Sequence, residues 1–200
     1  MGERANDSEW IHRAKQGDDD AFAKLVEVYQ VPVFNLCYRM LGNPSEAEDA
    51  AQETFLRAYR GLSRYDPKRR FATWLLSIAS HHCIDRLRRR RYPIQSLDEL
   101  LPWQQKSDDT PGPEAALTVK EEQETVREIL EHLGDQDRVA LILRYWYDLS
   151  YEEIAQCLSI SVSAVKSRLH RSRRYLAEQW MVRKSVAVGA SGRCDEASAL

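Results

Sequence analysis

The sequence predicts an all-α protein made of two small helical domains joined by a flexible acidic linker. Three observations carry this. Apolar residues recur at i, i+3, i+4 and i+7 along most of the chain, and no stretch reads convincingly as a strand. Between Pro93 and Pro113 that periodicity stops, in a segment holding Pro102, Asp108-Asp109 and Pro111-Gly112-Pro113. Beyond it, residues 150–174 read as a helix, a tight turn and a second helix with a basic face. The predicted boundaries are 1–92, 93–113, 114–182 and an Ala/Ser/Gly-rich tail, 183–200, expected to be disordered.

Within the first unit, Ser8 to Lys15 predicts a short helix ending at Gly17. The carboxylates of Asp18, Asp19 and Asp20 favour a new helix N-terminus because they complement its dipole. Phe22, Leu25, Val26 and Tyr29 then form a core stripe, and Pro32 predicts a kink or restart. Val33, Cys37, Met40 and Leu41 continue the stripe to a turn at Gly42-Asn43-Pro44. Ser45 and Glu48 have capping-box spacing, opening a helix that runs to about Gly61. Ala47, Ala51, Phe55, Ala58 and Leu62 form one stripe of it, and Asp49, Gln52, Glu53, Leu56 and Arg60 a mixed one. A basic loop, Tyr65 to Arg70, leads into a helix from Phe71 to Arg91, with Phe71, Trp74, Leu75, Ile78 and His82 on one face.

In the linker a helical turn is expected around Asp98–Trp103. The second unit begins with a helix over Glu114 to Leu133, followed by one from Asp135 to about Tyr147 that turns Val139, Ile142, Leu143 and Trp146 inward. Ser150 and Glu153 again have capping-box spacing, and Ser161 is positioned to cap the last helix. In that helix Val162, Val165, Leu169 and Leu176 point to the core, while Lys166, Ser167, His170, Arg171 and Arg174 share the opposite side. Such a helix suits the DNA major groove.

Charge supports the same reading. The net charge is only −2, but it is unevenly spread. Eight basic residues face one acid from Lys68 to Arg91, and five face none from Ser163 to Leu176. Five arginines within Arg86–Arg91 repel one another unless a polyanion offsets them. Cys37, Cys83, Cys157 and Cys194 have no metal-ligand spacing and suggest no disulfide framework. His81, His82 and Cys83 are adjacent, so they point to different sides of a helix and do not converge on one ion. No cofactor is expected. The chain lacks an apolar run long enough to span a membrane, and a soluble cytosolic protein is expected.

Four segments together resemble a known family. They are Asp49-Ala-Ala-Gln-Glu53-Thr-Phe, Tyr65-Asp-Pro-Lys-Arg-Arg-Phe-Ala-Thr-Trp-Leu75 with Ile78-Ala79, Leu149-Ser-Tyr-Glu-Glu-Ile-Ala155, and Val165-Lys-Ser-Arg-Leu169 with Arg171. In this order and spacing they resemble the extracytoplasmic-function (ECF) sigma factors of bacterial RNA polymerase, over about residues 18–180. The resemblance implies a non-enzymatic transcription initiation factor with a sigma region 2 domain (1–92) and a sigma region 4 domain (114–182). It implies core polymerase binding through Asp49, Gln52, Glu53, Leu56 and Arg60, against the clamp helices of the largest subunit, with a second contact to the β-subunit flap. It implies −10 DNA contacts from Tyr65, Lys68, Arg69, Arg70, Phe71, Trp74, Ser80, His81, Arg86, Arg88 and Arg89, with Trp74 chiefly structural. It implies −35 contacts from Lys166, Ser167, Arg168, His170, Arg171, Arg173 and Arg174, and control by an anti-sigma factor. Primary family members carry more melting aromatics than Phe71 and Trp74, which implies a stricter promoter requirement here. The rival reading is a helix-turn-helix regulator acting without polymerase, which would need a ligand, receiver or dimerisation element in the first unit; none is apparent.

Overall fold

Short polar caps set where most helices begin. In the computed structural model, which describes residues 6–91 and 128–191, the helices are α1 (Asp7–Lys15), α2 (Asp19–Leu41), α3 (Pro44–Gly61), α4 (Phe71–Arg91), α5 (Asp135–Tyr145), α6 (Tyr151–Leu158) and α7 (Val162–Ser191). A single 3₁₀ turn, Leu62–Arg64, follows α3, and residues 128–131 are also helical. Asp18 caps α2 by accepting from the Ala21 amide at 3.0 Å, and Ser150 and Glu153 form both halves of a capping box on α6. Ser161 accepts from Ala164 N at 3.1 Å at the start of α7. The expected box at Ser45 and Glu48 is replaced by Asn43, whose side chain accepts from Glu46 N at 3.1 Å while Pro44 takes the first helical position. Proline there loses no hydrogen bond, so the helix starts two residues before the position set by a Ser45 cap.

Three further expectations are corrected. Helix α2 runs unbroken through Pro32, held by the buried side chains of Tyr29, Val33, Leu36 and Cys37 on either side of it. Helix α5 ends at Tyr145, which takes Trp146 out of the helical period; Trp146 is 40% exposed and Tyr147 is buried in its place. Helix α7 continues to Ser191, into the tail from Arg183 that was expected to be disordered. The linker turn, most of the helix from Glu114 and the last nine residues lie outside the described residues.

Helices α1 to α4 pack around Leu25, Tyr29, Leu36, Met40, Phe71 and Leu75, all essentially inaccessible to solvent. Buried Asp7 accepts from the Tyr29 hydroxyl, fastening α1 to α2. Helices α5 to α7 pack around Val139, Ile142, Leu143, Ile154, Val165 and Leu169. These two halves share one continuous apolar core: α5 packs on α2 and α4, and α6 packs on α4. The relation between the halves, which periodicity leaves open, is thus a closed one.

Candidate nucleic-acid and polymerase interface

The helix-turn-helix is built by local hydrogen bonds. Asp148 adopts a left-handed conformation (φ 52°) and Leu149 N donates to Leu143 O at 3.2 Å, reversing the chain after α5. Arg144 steadies that reversal, donating to Leu149 O at 2.9 Å and lying 5.6 Å from the centre of the Tyr151 ring. Between α6 and α7, Ser159 makes the tight turn with φ 55°. Val165, Leu169 and Ser172 of α7 are buried, and Lys166, Ser167, His170, Arg171, Arg173 and Arg174 are exposed. The expected polar face therefore exists, with one exception. Arg168 is turned back onto α5, donating to Asp137 Oδ1 at 2.9 Å and to the Gln136 side chain. Asp137 also grips Arg171 with two bonds, Nε to Oδ2 at 3.1 Å and Nη2 to Oδ1 at 3.0 Å. Arg173 donates to Tyr151 Oη at 3.1 Å, and Arg174 pairs with Glu178 at 2.9 Å.

The loop before α4 is organised by aromatic packing. Tyr65, Phe71 and Trp74 meet at ring-centre separations of 5.0 to 5.6 Å, and Tyr29 joins Phe71 at 5.4 Å. Tyr65 donates its hydroxyl to Arg69 O, while Lys15 holds the Tyr65 carbonyl at 2.7 Å. Tyr65 and Phe71 are thus buried scaffold in this form, and Trp74 is partly so. Lys68 and Arg69 are exposed at the loop tip. Ser80, expected to face a DNA strand, is completely buried, and its hydroxyl has no hydrogen-bond partner among the described residues. His81 is exposed and His82 half-buried, its pKa lowered by burial and by the Arg57 charge.

At the end of α4 the arginines find acids within the chain. Arg86 lies 3.4 Å from Asp49, Arg88 3.1 Å from Asp85, and Arg91 2.8 Å from Asp135, and Arg90 pairs with Glu46. The repulsion expected of this run is therefore offset partly from α3. Arg88 and Arg89 remain exposed.

On α3, Asp49, Gln52, Leu56 and Arg60 are exposed in sequence-expected order, and Glu53 is held below the usual carboxylate range by Arg57, bonded at 2.6 Å. Beside them is an open groove of about 410 Å³ lined by Val26, Gln30, Val31, Phe34, Ala51, Gln52 and Phe55, among others. Its α2 wall went unnoticed in the sequence, although Val31, 61% exposed, stands beside Pro32 on a helix whose opposite side is already apolar. Among the described residues no group of three His, Cys, Asp or Glu is placed to hold a metal ion, and no helix is long and apolar enough to cross a membrane. Cys37, Cys83 and Cys157 are buried free thiols; burial pushes Cys157 up to about 12, and the neighbouring Cys37 thiol together with burial raises Cys83 well above its ordinary value.

Comparison with known proteins gives this geometry a family. Residues 25–92 match sigma-70 region 2 and residues 123–176 match sigma-70 region 4. The chain is 39% identical to the ECF RNA polymerase sigma factor SigW of Bacillus subtilis (strain 168), covering 84% of this chain and 94% of that one. It is 32% identical to the ECF RNA polymerase sigma-E factor of Escherichia coli (strain K12), covering 86% and 93%. In fold it is similar to CnrH in its complex with the cytosolic domain of CnrY, with a TM-score of 0.67 at 24% identity over 89% of this chain and 99% of that one. The sigma factor RpoE of Bartonella quintana, in complex with the anti-sigma factor NepR, has the same fold, with a TM-score of 0.60 at 20% identity over 80% and 97%. Both region matches in order, with relatives above 30% identity along most of their length, mean that this chain belongs to the ECF sigma factors of the sigma-70 family.

Proposed function

We propose that this protein is an alternative sigma factor: it binds core RNA polymerase, reads −35 and −10 promoter elements and helps open the DNA between them. The observation that carries this is the exposed basic face of α7 on a fully capped helix-turn-helix, in the same chain as the region 2 segment. Lys166, Ser167, His170 and Arg171 would meet base edges and phosphates of the −35 duplex, where a bidentate arginine–guanine pair is worth about 1–3 kcal/mol of discrimination. Opening the −10 element costs stacking, and a flipped base costs a few kcal/mol that a protein pocket must return. Lys68, Arg69, Arg70, His81 and the Arg86–Arg89 run would hold the separated strand by charge, while Trp74 supports the loop. The groove beside Gln52 and Leu56 would receive the clamp helices of the largest polymerase subunit, and the second half would meet the β flap. Nucleotide chemistry belongs to the polymerase, so the chain itself contributes binding, and it acts in the cytoplasm where polymerase works. An anti-sigma factor would restrain it, as NepR partners a sigma factor of the same fold.

Footprinting with core polymerase tests this. A promoter fragment should show two protected blocks, near −35 and −10, with permanganate-reactive thymines near the second, only when both proteins are present. Protection by this chain alone, unchanged by core enzyme, would favour the simple regulator.

A further inference from the structure

The loop before α4 is held at its start by α1, a helix that precedes the residues 25–92 matched as region 2. Lys15, in the last turn of α1, donates its ammonium to the Tyr65 carbonyl at 2.7 Å and lies 5.3 Å from the centre of the Tyr65 ring. At Tyr65 the chain leaves the 3₁₀ turn with extended dihedrals (φ −64°, ψ 126°). Its carbonyl oxygen lies in the planar peptide unit shared with Asp66, so fixing that oxygen fixes the direction in which the loop departs. Beyond this point the loop is braced from within. Asp66 accepts the Lys68 amide on its side chain at 2.9 Å and the Arg69 amide on its carbonyl at 3.0 Å, while the Tyr65 hydroxyl donates to Arg69 O. The exposed tip carrying Lys68 and Arg69 is therefore one stiff turn, aimed from its base by Lys15.

We propose that Lys15 is a positioning residue for −10 strand recognition: as a strut from α1 it sets the angle of the Tyr65–Arg70 loop, and with it the loop's discrimination between bases. That role in recognition rests on the reading of the loop as a −10 strand contact; the strut itself does not. Helix α1 is a firm base for it. Its start is fastened by buried Asp7, which accepts from the Tyr29 hydroxyl, and its Ile11 and Ala14 are buried. Its end is turned into α2 by Gly17 (φ 90°) and tied by Arg13 to Asp18 at 2.7 Å. Tyr29 in turn packs its ring on Phe71, 5.4 Å between centres, and Phe71 packs on Tyr65 at 5.6 Å. Both ends of α1 thus reach the aromatic cluster under the loop, one through Tyr29 and the other through Lys15. A hydrogen bond from a charged donor is stronger than one between neutral groups, and the long lysine stem spans the gap from helix to loop. Removing the strut leaves the loop cations in place but frees the direction in which they point. Base readout by hydrogen bonds depends on that direction, whereas general attraction to phosphate does not.

The test uses the full chain bound to core polymerase. Labelled non-template strands spanning the −10 segment of a promoter that the wild-type holoenzyme opens, and the same strands with one base changed at a time, are titrated by fluorescence anisotropy. Lys15→Met keeps the stem and removes the donor. Lys24→Met removes the same charge from an exposed lysine of α2 that pairs with Glu27. At the position of greatest discrimination, Lys15→Met should narrow the preference for the favoured base about fivefold, within the range of one lost base contact. Lys24→Met should leave that preference unchanged. Lys15→Arg, which donates to the same carbonyl and stacks on the same ring, should restore most of it. The readout is a ratio of affinities, so a smaller folded fraction does not alter it. A preference kept by Lys15→Met, lost equally by Lys24→Met, or not recovered by Lys15→Arg would overturn the strut's role. Wild-type holoenzyme that binds all the strands alike would instead remove the reading of the loop as a −10 contact.

Discussion

Arg138 of α5 donates to the carbonyl of Met40, near the end of α2, and to the carbonyl of Leu130, each at 2.6 Å. One buried guanidinium therefore serves carbonyls on opposite sides of the contact between the halves. Burial pulls its pKa below the ordinary arginine value, with Asp135 and Glu131 opposing. Such a charge is tolerated only while its donors are used, so the bonds fix how the halves meet.

Replacing it should be costly. Arg138→Met keeps much of the volume but leaves two carbonyls without their donor. We expect a loss of about 3 kcal/mol, read as a lower urea midpoint. Arg138→Lys should recover only part of it, since an ammonium lacks the fork that spans two acceptors.

Capping offers a smaller, local counterpart. Ser150→Ala removes the acceptor for Glu153 N at 3.1 Å and should cost about 1 kcal/mol of stability. Ser150→Thr should restore most of it, as measured by the same denaturant titration.

Stability should fall on acidification in two stages. His82 is lowered by burial first and by Arg57 second, so the folded protein favours the neutral ring. The unfolded chain then binds more protons, and the stabilisation is present above about pH 6.5 and lost as pH falls toward the lower folded value. Burial alone would raise the Glu153 carboxyl, but the Ser150 amide and the Arg70 guanidinium outweigh it and leave it below the usual range. Its contribution is present above about pH 4.3 and disappears as pH falls through the folded value. His82→Gln should flatten the urea midpoint between pH 7 and 5 while leaving the lower stage.

Local chemistry in the sequence was legible at most helix starts, the cap of α3 excepted, where Asn43 takes the place expected of Ser45. Ser161 and the Ser150–Glu153 box cap as expected, α2 begins at the acidic run where a helix N-terminus was expected, and the Val165–Leu169 stripe is buried. Other errors occur where the deciding partner is distant. Ser80 is completely buried on α4, on which α5 and α6 pack from the other half of the chain, and Arg168 is turned onto α5 by Asp137, 31 residues earlier. Trp146 and Tyr147 were exchanged because α5 stops at Tyr145, after which helical spacing no longer says which side chain turns inward.

Variants on the exposed basic face of α7 should affect promoter binding without affecting the polymerase contact. Arg171→Ala should weaken −35 promoter binding by holoenzyme about tenfold, within the 1–3 kcal/mol of a bidentate contact, with core association unchanged. Lys166→Ala should lower the salt slope of promoter binding by about one. Both are read by gel shift across a salt series.

For the groove side, Gln52→Ala with Glu53→Ala should impair co-purification with core polymerase while the circular dichroism spectrum is retained. Val31→Asp, which places a charge in the groove wall, should do the same. Full core binding by either variant would remove this face from the polymerase contact.

The most direct test is to add the purified protein to core polymerase on genomic DNA and sequence the 5′ ends of the transcripts. The account predicts a limited set of start sites, absent with core alone and sharing motifs near −35 and −10. Start sites identical with and without the protein would contradict it.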